Sequence, residues 1–153
     1  MPKDILIVGE HFYRDDWKLE LERAGFTCHE APAILDAINY LQSTPGSARF
    51  QLLVQENAPI TPSAQSNPGV PAEFKSIKPY DAGSTFITYA RSNGLINSDV
   101  PAYLATIANH DEKYAIPPDG ITKVIRLESR ENIVSQMQPE LYRPAAVDTL
   151  GKE

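Results

Sequence analysis

Four stretches carry the side chains able to do chemistry, and each sits where an apolar run stops. Gly9, Glu10 and His11 follow DILIV; Gln55, Glu56 and Asn57 follow LLV; Thr106 closes AYLA; Lys123 and Arg126 lie within ITKVIRL. Carboxylates, amides, a hydroxyl and cations brought together could hold a hard cation with phosphate, or line a pocket for acid–base work. They cooperate only if the segments before them end side by side.

DILIVGE is a continuous β-branched and leucine run stopped by glycine, the pattern of a strand buried on both faces of a parallel sheet. YRDDWKLELERAGF then reads as a helix, with Asp15 and Asp16 at its N-terminus, Arg23 at its C-terminus and Gly25 as the left-handed stop. FTCHEA is a second strand. PAILDAINYLQS follows as a helix opened by Pro32, with Ile34, Ile38 and Leu41 on one face. FQLLVQ is the third strand, and residues 57–80 hold five of the 13 prolines, which argues against a stable helix there. Asp81 is placed to cap a helix through AGSTFITYARSNG, closed by Gly94. VPAYLAT is the fourth strand and ITKVIRL the fifth, with at most two helical turns between them before Pro117 and Pro118. Ser129 caps a last helix, RENIVSQMQ, ended by Pro139.

Strands alternating with helices predict one doubly wound α/β domain over residues 1–138, flavodoxin-like, with a parallel sheet of order 2-1-3-4-5 and a tail over 139–153. In such sheets ligands sit beyond the carboxyl ends of the strands where the winding reverses, here between strands one and three. That edge gathers all four stretches.

The charge balance narrows the partners. A net charge of -6 repels polyanions, so nucleic acid is not expected. One cysteine, Cys28, cannot form an internal disulfide, and no run approaches the roughly 18 apolar residues of a membrane span, which together suggest a cytoplasmic protein. Met1 and the short tail favour a stand-alone chain over a piece of a larger regulator.

Other constellations carry less. His110, Asp111 and Glu112 could join Glu10 and His11 around a metal, but adjacent residues point apart and no pair has helical ligand spacing. Gly9 alone falls far short of a dinucleotide fingerprint. His29, beside Cys28 in a strand, reads as a packing or surface residue rather than a catalytic one.

ILIVGE, LLVQENAP and PAYLAT together resemble a response-regulator receiver domain. The family's third strand ends in an aspartate that accepts phosphate, followed four positions later by proline. Counting back from Pro59 places Gln55 there, and an amide is too poor a nucleophile to form an acyl phosphate. A register shifted by one places Glu56 there instead, a carboxylate that could imitate the charged state. The family's acidic pair for Mg²⁺ is represented by Gly9 and Glu10, so the resemblance implies weak Mg²⁺ binding at best, with Glu10 the one candidate ligand. Thr106 matches the hydroxyl that follows the phosphoryl group, and Arg126 or Lys123 stands for the basic residue of strand five.

The resemblance thus implies a degenerate, phosphorylation-independent interaction module of a signalling pathway. Its partner would be a histidine kinase or a downstream regulator, with homodimerisation open. The loop over 57–80 is long for a compact domain, and its apolar Phe74, Ile77 and Tyr80 are candidate contacts, over the site or to a partner. The fourth helix, part of the family's moving face, is reduced. The rival reading is a small flavodoxin-like enzyme or ligand-binding domain, with Glu10, Gln55, Glu56 and Thr106 lining a pocket.

Overall fold

The computed structural model describes residues 3–9, 11–61, 70–106, 122–126 and 133–137. Along the chain run β1 (Asp4–Val8), α1 (His11–Arg23), β2 (Thr27–Ala31), α2 (Ile34–Ser43), β3 (Gln51–Gln55), α3 (Ala82–Ser92), β4 (Ala102–Thr106), β5 (Thr122–Arg126) and α4 (Ile133–Met137). The strands form one sheet in the order β2-β1-β3-β4-β5, every pair parallel. This is the α/β arrangement of a flavodoxin-like fold.

Two apolar layers hold it. On one face Leu6, Val8, Leu52, Val54 and Leu104 pack with Ile34, Ile38 and Leu41 of α2 and Phe86, Ile87 and Ala90 of α3. On the other Ile5, Ile7, Leu53, Tyr103 and Ile125 pack with Trp17 and Leu21 of α1 and Val134 and Met137 of α4. Alternate residues of each strand enter opposite layers, so the central strands must be apolar throughout, as DILIV and QLLVQ nearly are. Every residue of β3 and β4 is buried.

Helix starts depart from expectation. α1 begins at His11, which puts Asp15 and Asp16 beyond its first turn rather than at its N-terminus. α2 begins at Ile34 behind Ala33, whose side chain makes no cap. Its first N–H groups are instead met by the chain after β3: Ile34 N donates to Pro59 O at 2.8 Å and Leu35 N to Ile60 O at 2.9 Å. Asp81 does precede α3, but its side chain makes no capping bond and the residue closes a 3₁₀ turn, Pro79–Asp81. Gly25 and Gly94 close their helices with positive φ, as read from the sequence.

The described part of the loop after β3 contains a second 3₁₀ turn, Ala72–Phe74, and packs on its own domain. Phe74 is 3 % exposed and its ring meets that of Tyr89 on α3 at 5.6 Å. Ile60, Val70 and Ile77 pack half-buried against the same core. Phe74 as a partner contact is therefore corrected: its ring is consumed in anchoring the loop. Ile77 is partly so engaged, and the side chain of Tyr80 lies outside the described residues. So do the reduced fourth-helix segment, the Ser129 cap and the tail. No helix among the described residues is long and apolar enough to cross a membrane.

Candidate functional site

The carboxyl edge of the sheet brings Gly9, Gln55, Glu56 and Thr106 together. β1 and β3 run side by side with Val8 opposite Val54, so the next residues, Gly9 and Gln55, end the two strands as neighbours. A Cβ at position 9 would lie 2.6 Å from Gln55 Oε1 and 3.0 Å from Gln55 Cβ. The Gln55 side chain, 2 % exposed, thus fills the space any side chain at position 9 would need. Glycine at position 9 and glutamine at position 55 are one packing solution.

Glu56 is fixed at three points. Its N–H donates to Ala105 O at 2.9 Å, extending the β3–β4 ladder past the strand, and its carbonyl accepts from Gly83 N at 2.8 Å. Its carboxyl Oε2 accepts from Thr106 Oγ1 at 2.8 Å. Glu56 is 0 % and Thr106 1 % exposed, so this bond is sealed from water. A buried carboxyl left without donors would be costly, so the hydroxyl at position 106 has a structural role here.

The start of α3 presses on the same turn. A Cβ at position 83 would stand 2.5 Å from the Gln55 carbonyl oxygen and 2.9 Å from Leu104 Cδ1. Only glycine lets the helix approach the strand end this closely.

Of the basic candidates, Arg126 is paired with Thr106 in the β4–β5 register and so ends β5 at this edge. Its side chain is not described. Lys123 pairs with Tyr103 near the beginning of β5 and is exposed, so its place is away from the edge. Glu10 lies outside the described residues.

Among the described residues, the donors at this edge do not make a Mg²⁺ site. Position 9 offers no ligand, Gln55 offers a neutral amide already packed over Gly9, and one oxygen of the buried Glu56 carboxyl, Oε2, is engaged by Thr106. A hard divalent ion wants one or two charged carboxylates opening onto water and phosphate. No group of three or more His, Cys, Asp or Glu able to hold a metal occurs among the described residues.

Sequence reasoning missed the two contacts that matter most, Gln55 over Gly9 and Glu56 with Thr106. Both were latent in the register: a residue that follows a central strand by one place is still flanked by its neighbours. Comparison with protein-family models and with known proteins finds no match.

Proposed function

We propose that this chain is a pseudo-receiver, a protein-interaction module of a signalling pathway whose recognition by partners does not depend on aspartyl phosphorylation. The observation that carries this reading is the burial of Glu56 with its carboxyl on the Thr106 hydroxyl. A receiver needs an exposed carboxylate as nucleophile and a free hydroxyl to follow the phosphoryl group. In one register the acceptor position holds an amide, and in the other it holds a carboxyl sealed from solvent. In both, the hydroxyl at position 106 already has an acceptor supplied by the chain itself.

The mechanism is recognition of one constitutive surface. The internal Glu56–Thr106 bond takes the place of the bond a phosphoryl group would make and holds β4 and the turn after β3 in a single arrangement. Partners of this class are a histidine kinase, a downstream regulator or a second copy of the chain. The setting is cytoplasmic, and no cofactor is required.

Incubation with acetyl phosphate and Mg²⁺, followed by intact-mass measurement, tests the reading. The expected mass is unchanged, and the proteins retained by the immobilised chain are the same before and after treatment. Gain of one phosphoryl group, lost when Glu56→Gln is introduced, would overturn it.

A further inference from the structure

At the opposite end of the sheet stands a second cluster of polar side chains. Asp4 opens β1, His29 lies in β2 opposite Leu6, Tyr40 belongs to α2, and Phe50 immediately precedes β3. His29 Nε2 is 3.0 Å from Asp4 Oδ1, and Nδ1 is 2.5 Å from Tyr40 Oη. Phe50 stacks on the imidazole, with ring centroids 4.4 Å apart and planes inclined by 26°. The side chains of His29 and Asp4 are 21 % and 45 % exposed, and Tyr40 is half-buried, so the cluster opens to solvent.

The three polar groups define a direction for a proton. A carboxylate can only accept, so an imidazole in its neutral form would carry its hydrogen on Nε2 and donate it to Asp4. Nδ1 is then the acceptor, and the Tyr40 hydroxyl donates to it. A hydroxyl on a base, with the base oriented by a third group and clamped by an aromatic ring, is the arrangement of an activated nucleophile.

We propose that Tyr40 is a nucleophile for acyl transfer, taking an acyl group from a small uncharged ester. In the step Tyr40 Oη attacks the ester carbonyl carbon and a new C–O bond forms. The alcohol leaves as its bond to that carbon breaks, and the phenolic proton passes to His29 Nδ1 and on to the departing oxygen. The products are O-acyl-Tyr40 and the free alcohol, with no oxidant or metal consumed. An uncharged acyl donor fits better than a phosphoryl donor, because the carboxylate of Asp4 repels an approaching anion and Phe50 offers an apolar wall.

The test is p-nitrophenyl acetate with the whole chain, following p-nitrophenol release and locating the acetyl group by peptide mass spectrometry. The expected result is release of one equivalent with acetyl on Tyr40 ahead of Tyr89, another half-buried tyrosine of a described helix. Tyr40→Phe abolishes the release, His29→Gln slows it by about 100-fold, the scale of a positioned general base, and Asp4→Asn slows it as well. Matched melting temperatures show that these variants fold, and Asp4→Asn, on the most exposed member, keeps the test standing if His29→Gln does not. Acetyl found only on lysines, or on Tyr40 at the same rate with and without His29 or Asp4, overturns the proposal.

Discussion

β3 and β2 are two strands of one sheet that treat their polar residues in opposite ways. β3 is central, and its polar ends are sealed: Gln55 lies over Gly9, and Glu56 just beyond the strand takes the hydroxyl of Thr106. β2 is an edge strand, largely half-buried, and its polar residues work at the surface: His29 bridges Asp4 and Tyr40, while Glu30 pairs with Lys18 at 3.1 Å. Burial on both faces turns a carboxyl and a hydroxyl into a lock. Partial exposure leaves similar groups reachable by a reagent.

The difference can be broken most severely at α3. Gly83→Val drives side-chain atoms into the Gln55 carbonyl and Leu104, and should destabilise the domain by about 3 kcal/mol in urea unfolding. If stability is unchanged, the closed turn after β3 is not what holds the site shut. At β2 the largest effect is kinetic. Burial, with the nearby charge of Glu22, pushes the Cys28 thiol from an ordinary 9.0 up to about 11. The reactive thiolate is therefore scarcer in the folded chain, and alkylation near pH 8 should run about 100-fold slower than in the urea-unfolded chain. The folded rate should climb as pH rises toward that value, and equal rates in the two states would show the thiol to be freely exposed.

Glu56→Ala removes the acceptor of a buried hydroxyl and opens a small cavity, an expected loss of about 2 kcal/mol. Thr106→Val should cost less than the sum when combined with it, with a coupling of about 1 kcal/mol in a double-mutant cycle. Strict additivity would mean the 2.8 Å contact contributes nothing. The smallest effect belongs to the wet edge: Tyr40→Phe keeps the ring and loses one partly solvated hydrogen bond, so about 1 kcal/mol or less is expected from thermal unfolding.

The sheet was legible because its strands are short apolar runs bounded by glycine and polar residues, and because alternation with helices leaves few ways to wind them. The helix starts were not, since α2 is capped by the carbonyls of Pro59 and Ile60 from a distant loop. An isolated glycine in a helix reads as a weakness in sequence, whereas Gly83 marks the close approach of α3 to β3. At the carboxyl edge the residue types were readable and their mutual contacts were not, because Glu56 and Thr106 stand 50 positions apart. The same holds for His29, 25 positions from Asp4 and 11 from Tyr40, whose role surfaces only once β1, β2 and α2 are packed.

Titration with Mg²⁺ and beryllofluoride, a tetrahedral mimic of a phosphoryl group, tests the closed edge most directly when the amide signals of Thr106 and Gly83 are followed by NMR. With Glu56 holding the Thr106 hydroxyl and Gln55 filling the space over Gly9, neither signal should move beyond the effect of salt. A saturable shift of both, absent in Glu56→Gln, would mean that the edge opens to an anion and that the lock does not exist.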